Sequence, residues 1–329
     1  MKRTLVVTAC IALQVSFVLP LQAGGFSKAG KSVFQFVRIG VGARQTAMGE
    51  AATATAADVN AAFWNPAGIT GIGQAQASFT YTDWLVDLKY LCGAAAVRWN
   101  DVGVFAVNYG TLGYGDLAEA VVSIPGGGND TRTGNTFTGG DLVMGLSFAR
   151  EFTDRLSIGV SVKYLQEKLY VYKADAVAYD VGTTYDTGFR GLRLAMSAQN
   201  FGPTVSWLAH GSQEEGYDLP LTFRIGSSIN VIDNDNGLIG LGETHRLILA
   251  ADAVHGNDIG DRVQFGGEYV FDGMLALRGG YRLNADEGRL SLGLGLAVAV
   301  AEMHLRLDYA YVGYTNLNGA QRLTFTATF

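Results

Sequence analysis

Several charged residues in the C-terminal third of the chain lie on the polar face of alternating apolar and polar stretches, where side chains of a β-strand would point the same way. They are Arg262, Glu268, Arg278, Arg282, Arg306 and Asp308. Carboxylates beside guanidinium groups can carry acid–base chemistry, as in a hydrolase, or can neutralise one another in a packed network. We expect the network, because paired charges cost less than unpaired charge in a narrow space.

Other patterns that carry chemistry are weak. The histidines show no metal-ligand spacing; they are His210, His245, His255 and His304. The stretch 233–237, with Glu243 beyond it, resembles a calcium loop, but its first ligand position is Ile232, which has no side-chain oxygen. There is no Gly-x-Ser-x-Gly elbow and no phosphate-binding Gly-x-x-x-x-Gly-Lys. We therefore predict no enzyme, no cofactor and no metal site.

The elements that would position these charges show a period of two. Along 289–298, leucine and valine alternate with small or polar residues, and 155–164, 262–271, 275–283 and 302–311 behave in the same way. Hydrophobic residues make up 48% of the chain, with 44 Gly, 15 Tyr, 17 Phe and only 5 Pro. Yet beyond the N-terminal leader no apolar run approaches the roughly 20 residues that a spanning helix needs.

A spanning protein without apolar helices must close its strands into a barrel, since every backbone polar group in lipid has to be paired. The predicted fold class is all-β: a transmembrane antiparallel β-barrel whose apolar face meets lipid and whose mixed Gly, Ser and charged face lines the lumen. The alternative is a soluble β-sandwich, whose polar face would point to bulk water.

Fourteen strands are predicted, an even number as expected for a bacterial barrel. They are 74–84, 87–99, 102–114, 140–151, 155–167, 175–186, 191–201, 219–231, 245–255, 261–271, 274–284, 288–300, 302–312 and 321–329. If the first strand starts in the periplasm, the connections from each even-numbered strand to the next odd-numbered one lie on the periplasmic side, and most of these are short. The connections 115–139, 202–218 and 313–320, on the other side, are long. Short periplasmic turns and longer outer loops are typical of such barrels. The connection 232–244 is long for the periplasmic side.

The N-terminus has the pattern of a signal peptide, residues 1–23: basic Lys2 and Arg3, a short apolar stretch, and a small residue before Gly24. An anchor helix is the alternative, but the apolar stretch is too short. Cleavage removes two basic residues, so the formal charge falls from −6 to −8, which argues against nucleic acid as a partner. Cys92 remains alone, so an intrachain disulfide is excluded.

The last strand ends the chain on an aromatic residue, with Leu323, Phe325, Ala327 and Phe329 on one face. This pattern resembles the C-terminal signal recognised by the outer-membrane barrel assembly machinery; an ordinary edge strand is the alternative. We predict residence in the Gram-negative outer membrane, in contact with its lipid and lipopolysaccharide, with both termini on the periplasmic side. Glu214, Glu215 and Asp218 form an acidic outer patch, either a solvated loop or a site for ion bridging to lipopolysaccharide.

Residues 24–73 do not alternate and are too few for a robust domain alone. We predict that they form a plug, or hatch, inside a barrel built from 74–329, with a short helix in the alanine-rich part that stops at Pro66. The stretches 42–51 and 56–69 resemble the opening signature of the PorV/PorQ family, in the fatty-acid-transporter (FadL-like) superfamily. The matching hatch residues are Met48, Gly49, Trp64, Asn65, Pro66, Ala67 and Gly68; Glu50 stands where the family more often has glycine.

The resemblance implies a fourteen-stranded barrel with an internal hatch, but not one function. One hypothesis is passive passage or binding of hydrophobic small molecules, gated by the hatch. A second is an assembly role resembling type IX secretion, in which the barrel holds secreted proteins or partner barrels. A third is a purely structural barrel. We favour the first, because it follows from the architecture.

Overall fold

The computed structural model of the chain describes residues 30–120, 132–206, 208–209, 212–213, 216–241 and 244–329. The predicted signal peptide, the acidic residues Glu214 and Glu215, and His210 and Glu243 lie outside the described residues. No helix within the described ranges is long and apolar enough to span a membrane.

The described residues form sixteen strands in one sheet. They are β1 (Ala75–Asp83), β2 (Lys89–Trp99), β3 (Gly103–Ala120), β4 (Arg132–Glu151), β5 (Leu156–Leu169), β6 (Tyr172–Asp186), β7 (Arg193–Phe201), β8 (Leu208–Ala209), β9 (Ser212–Gln213), β10 (Thr222–Ile232), β11 (His245–Gly256), β12 (Arg262–Phe271), β13 (Leu275–Leu283), β14 (Leu290–Val300), β15 (Met303–Gly313) and β16 (Ala320–Thr328). The two-residue strands β8 and β9 form a small hairpin that extends β6. The remaining fourteen form the wall of the barrel.

The ring is closed because the first strand pairs with the last. β1 and β16 are antiparallel from Gln76↔Thr328 to Asp83↔Gln321, and β7 pairs directly with β10. Each wall strand therefore has a neighbour on both sides, as a membrane requires. The prediction of a closed, fourteen-stranded antiparallel barrel is confirmed.

Alternation along the strands matches the two faces of the wall. In β14 the leucines at 290, 292, 294 and 296 are 45–57% exposed, whereas Ser291 between them is buried. Aromatic side chains also ring one end of the outer face; they are Trp99, Phe152, Phe189, Phe271 and Phe329. An apolar band with aromatic side chains at its edge is the outer surface expected of a membrane barrel.

The two ends of the barrel differ, and we name them by their connections. The turn end carries 100–102, 152–155, 187–192, 233–241, 272–274, 301–302 and Phe329. The loop end carries 84–88, 170–171, 202–206, 216–221, 257–261, 284–289 and 314–319. Asp233 in the longest turn-end connection accepts hydrogen bonds from the backbone of Asp235 and Asn236, the geometry of a polar turn.

The predicted loop 115–139 is the main difference between expectation and structure. β3 and β4 extend into it as a long hairpin, with register shifts between Gly113 and Asp116 and between Ala118 and Ala120. Period-two patterning fades there because strands that project beyond lipid need no apolar face. Backbone hydrogen bonds alone hold these extensions together, so the hydrophobic pattern of the sequence does not predict them.

Residues 30–73, the N-terminal segment, lie within the ring of strands. The segment holds the 3₁₀ turns Gln35–Arg38, Val59–Phe63 and Pro66–Gly71, and one short helix, α1 (Ala43–Ala47). α1 packs on β13 to β16, and the turn Pro66–Gly71 packs on β3 to β6. The alanine-rich helix expected to stop at Pro66 is a 3₁₀ turn that ends at Phe63, while Pro66 begins the next turn, since its fixed φ and missing N–H suit a first position.

The N-terminal segment crosses the barrel from one end to the other. Val33 donates a backbone hydrogen bond to Asp218 at the loop end, whereas Arg98 at the turn end binds the carbonyls of Thr70 and Ile72. Phe329 also lies at the turn end, where it pairs with Ala75. Residue 30, the first that the structure describes, therefore lies at the loop end and Phe329 at the turn end, while the periplasmic location of both termini stays a prediction.

Candidate functional site

The N-terminal segment is tied to one side of the wall by charge. Each charged residue between positions 38 and 58 pairs with an opposite charge on β12, β13, β15 or the loop before β12. The pairs are Arg38 with Asp258, Arg44 with Glu268 at 2.8 Å, Glu50 with Arg282 at 3.0 Å, and Asp58 with Arg306 at 2.8 Å. Three of these wall partners are themselves buried, so the segment supplies each of them with an ion of opposite charge in a place where water is scarce.

The wall side of this network is continuous. Arg278 donates to Glu268 at 2.6 Å and to Asp308 at 2.7 Å, and Arg306 donates to Asp308 at 2.8 Å. Arg44 then adds a second cation to Glu268, from inside the lumen. Four of the six predicted lumen residues are thus joined in one chain of ion pairs.

The other two predicted residues lie apart from that chain. Arg282 pairs with Glu50 and donates to the carbonyl of Gly288, nearer the loop end. Arg262, the first residue of β12, forms no salt bridge within the described residues, and its charge lies close enough to Arg38 to act on it. Sequence position placed both on the polar face, but it gave no information on their partners.

The Asn65–Pro66–Ala67 element joins three pieces of backbone. The Asn65 amide donates to the carbonyl of Thr53 at 3.0 Å and to that of Thr183 in β6 at 3.1 Å. Its side-chain oxygen accepts from the amide of Ala67 at 3.2 Å, which caps the turn Pro66–Gly71. Asn65 is fully buried, so these bonds fix the segment against β6.

Glycines in the wall make room for the segment. A Cβ placed on Gly266 or Gly280 would collide with the backbone of Met48 and Gly49, and one on Gly182 would collide with the Asn65 side chain. The buried Gly68 likewise lies against the carbonyl of Ala56. The backbone of Met48, Gly49 and Gly68 therefore lies against other backbone, which explains why glycines stand at the contact points.

Trp64 links the middle of the segment to the wall. Its indole Nε1 donates to the carbonyl of Val41 at 2.8 Å, and the Arg224 guanidinium of β10 lies 5.0 Å from its ring centroid.

Glu50, where the family more often has glycine, adopts the left-handed conformation (φ 66°) that glycine favours. Its pair with Arg282 is one compensation for that strain.

An apolar cluster fills the lumen near the loop end. The wall contributes Tyr90, Leu112, Val143 and Leu165 from β2 to β5 and three alanines of β6, while the segment contributes Val33, Phe34, Phe36, Ile39 and Val41. Phe34 is fully buried and takes the left-handed conformation (φ 56°), which is strained for a bulky residue. Its amide donates to Glu167 at 2.9 Å.

A polar cavity of about 500 Å³ lies at the turn end. The segment forms its roof with Arg44, Thr55 and Asp58, and the inward faces of β7 and β10 to β15 form its sides. Nearer the loop end a much smaller cavity of about 40 Å³ adjoins Val41 and Trp64. The stretch between Gly42 and Asp58 separates the two spaces.

Phe325 and Phe329, the predicted assembly signal, lie on the outer face and are 46% and 55% exposed. Phe325 pairs in register with Phe79 of β1, at the seam that closes the barrel.

The described histidines lie apart: His245 binds the Tyr269 hydroxyl at 2.7 Å, and His255 pairs with Asp261 at 2.6 Å. Within the described ranges no three metal-ligating side chains cluster.

The family model described as "Type IX secretion system protein PorV" matches residues 27–252. The chain is therefore an outer-membrane β-barrel, and it belongs to the PorV family. No curated protein sequence matches it.

Among solved structures, the Pseudomonas putida toluene transporter TodX is similar with a TM-score of 0.57 and 12% identity, over 88% of this chain and 97% of that one. The Ralstonia pickettii toluene transporter TbuX is similar with a TM-score of 0.51 and 15% identity, over 88% of this chain and 98% of that one. The expected resemblance to the PorV family is confirmed, and the two toluene transporters share the barrel fold.

Sequence reasoning missed the segment's own charges. Arg38, Arg44, Glu50 and Asp58 stand at intervals of six to eight in an otherwise small and apolar stretch. A segment predicted to be buried cannot leave such charges unpaired. That rule would have pointed to all four as partners for the lumen residues.

Proposed function

We propose that the barrel binds hydrophobic small molecules in the apolar cluster near its loop end and lets them pass when the N-terminal segment moves. The observation that carries this proposal is that the cluster is already occupied by apolar side chains of the chain itself, chiefly Phe34 and Phe36. A space that accepts two phenylalanine side chains has the chemistry to accept a hydrophobic ligand of similar size.

The occupant is held by contacts that can be released. Phe34 is strained, and polar anchors flank it: its own amide on Glu167, and Arg38 on Asp258. Backbone strain at such a position is relieved when the segment leaves, which lowers the cost of exchange with a ligand. Residues 32–38 therefore act as the outer part of the gate.

The inner part of the gate is the stretch between Gly42 and Asp58. It seals the lumen by resting on Gly266 and Gly280 and by its ion pairs with Glu268, Arg282 and Arg306. A molecule leaving the apolar cluster would enter the turn-end cavity only when this stretch shifts. The turn end then faces the periplasm, in keeping with short turns on that side.

Binding of the fluorescent hydrophobic probe N-phenyl-1-naphthylamine to the purified barrel in mild detergent tests the proposal. The variant Phe34→Ala/Phe36→Ala should bind the probe at least about tenfold more tightly, because the competing occupant has been weakened. Phe152→Ala, which removes an exposed phenylalanine at the turn end, should leave the affinity unchanged. Equal affinity in all three proteins would overturn the proposed site.

A second candidate is a role in protein secretion, favoured by the family match. The long β3–β4 hairpin that projects at the loop end supplies a surface for a secreted or partner protein. Native mass spectrometry of barrel taken from its own outer membrane separates the two candidates. A retained lipid or hydrophobic molecule supports passage, whereas a retained protein without a small ligand supports the secretion role.

A further inference from the structure

The turn-end cavity carries an excess of positive charge. Five arginines and three carboxylates line it; they are Arg44, Arg193, Arg246, Arg278 and Arg306, with Asp58, Asp186 and Glu268. The lining residues alone sum to +2, and Asp308, which pairs with Arg278 and Arg306, lowers the local balance to +1. A cavity with one dominant sign of charge and low-dielectric walls concentrates ions of the opposite sign.

The carboxylates of the cavity are already engaged. Glu268 binds Arg44 and Arg278, and Asp58 binds Arg306. Asp186 accepts a hydrogen bond from the backbone amide of Gly188. Three of the five arginines are therefore ion-paired, and two remain.

Arg193 of β7 and Arg246 of β11 are those two. Neither has a carboxylate within ion-pair distance in the part of the chain that the structure describes. Both line the cavity, although their strands are separated by β10. Asp186 lies opposite Arg193 in register but forms no salt bridge with it, so both guanidinium groups face the cavity without an ion-pair partner among the described residues.

Asn230 of β10 lies between them in register. Arg193 pairs with Ser228, two residues before Asn230, and Asn230 pairs with Ile248, two residues after Arg246. The Asn230 side chain also lines the cavity. The inward face therefore presents a diagonal row of two guanidinium groups with an amide between them.

We propose that this row binds the oxyanion of a small organic acid, a carboxylate or a phosphate, inside the turn-end cavity. Guanidinium groups bind both oxyanions with paired, charge-assisted hydrogen bonds. The cavity also offers Ile248, Val270 and Ala276 to an apolar body, and its volume of about 500 Å³ lies in the range of ligand sites. The inference goes beyond the proposed function and does not depend on passage of hydrophobic molecules.

Isothermal titration of the mature barrel in mild detergent tests the site with three probes of one shape: benzoate, phenyl phosphate and neutral benzyl alcohol. At least one anion should bind saturably and more tightly than the alcohol, and the stronger anion identifies the preferred head group. Arg193→Gln/Arg246→Gln should weaken that binding at least tenfold, with an intermediate loss in each single variant.

Arg150→Gln is the matched control, since Arg150 is an exposed arginine near the same end on the opposite face of the wall. It should bind the anion as the wild type does. Folding of every variant is checked by heat-modifiable gel mobility, and the single variants retain the test if the double variant does not fold. The site does not exist if neither anion binds saturably, if the alcohol binds equally well, or if the double variant matches the wild type.

Discussion

Arg44 donates a hydrogen bond to each carboxylate oxygen of Glu268, with its Nε 2.8 Å from one and its Nη2 2.9 Å from the other. Arg44 belongs to the N-terminal segment and Glu268 to the wall, and both are shielded from solvent. Arg278 binds the same carboxylate from the wall side. Segment and wall therefore share one buried cluster of charges, in which each contributes partners to the ions of the other.

Arg44→Gln should destabilise the barrel by about 3–5 kcal/mol, because it leaves part of a buried charge network uncompensated. Urea unfolding in lipid vesicles measures the loss. The exposed Arg150→Gln should fall within about 0.5 kcal/mol of the wild type. A loss for Arg44→Gln as small as that of the control would mean that the segment is not energetically coupled to the wall.

Substitution by alanine should disturb the packing of the N-terminal segment at one of two adjacent glycines of β13 and not at the other. In Gly280→Ala the new methyl group would meet the backbone of Met48 and Gly49, so the segment must lift from the wall. In Gly279→Ala the nearest atom lies 3.8 Å away on the outer face, so the change should be tolerated. Protease digestion of the folded barrel should cleave the segment faster in Gly280→Ala alone. Equal cleavage in both would contradict the close seat.

Asn65→Ala should loosen the turn Pro66–Gly71, since it removes a donor from the buried carbonyl of Thr53 and from that of Thr183, and removes the cap on Ala67. Leaving such groups unsatisfied costs about 1–3 kcal/mol. Hydrogen exchange of residues 65–72 should accelerate. The exposed Asn236→Ala, in a turn-end connection, serves as the control and should leave that exchange unchanged.

The outer part of the gate should weaken in acid. Burial raises the pKa of Asp258, but the hydrogen bond from Gln35 and the charge of Arg38 outweigh it and hold that pKa below its usual range. A carboxyl group with a lowered pKa stabilises the fold above its unfolded value, about 3.9, and loses that effect as the pH falls through the folded value. The hydrogen-exchange protection factors of residues 33–38 should therefore decrease when the pH is lowered below about 4.

Asp258→Asn supplies the control for that titration. It removes the ionisable group, so protection of residues 33–38 should already be low at neutral pH and should lose its acid step. An acid step that persists in Asp258→Asn would assign the effect to another group.

The strands were predictable from sequence because lipid imposes a pattern on them. Alternation such as that of 289–298 follows from one face in lipid and the other in the lumen, and it identified all fourteen wall strands. The β3–β4 hairpin beyond the lipid lacks that constraint, so its pattern faded. The position of Asn65 and Pro66 in a plug came from resemblance, whereas their hydrogen bonds came only from the structure.

Partners inside the lumen were the least predictable part. Arg262 and Arg278 look alike in an alternating pattern, yet one stands apart and the other binds two carboxylates. The difference arises from which strand faces which stretch of the segment, a relation between residues more than two hundred positions apart. Only the segment's own charges, Arg44 and Asp58 among them, could have reduced the number of possible partners for each lumen residue.

Uptake of N-phenyl-1-naphthylamine by Gram-negative cells that produce the barrel tests the central claim most directly. Cells with the wild-type barrel should take up the probe faster than cells without it, and Phe34→Ala/Phe36→Ala should be faster still, while Phe152→Ala should match the wild type. Uptake at the rate of barrel-free cells in every case, with all proteins folded in the outer membrane, would contradict gated passage of hydrophobic molecules.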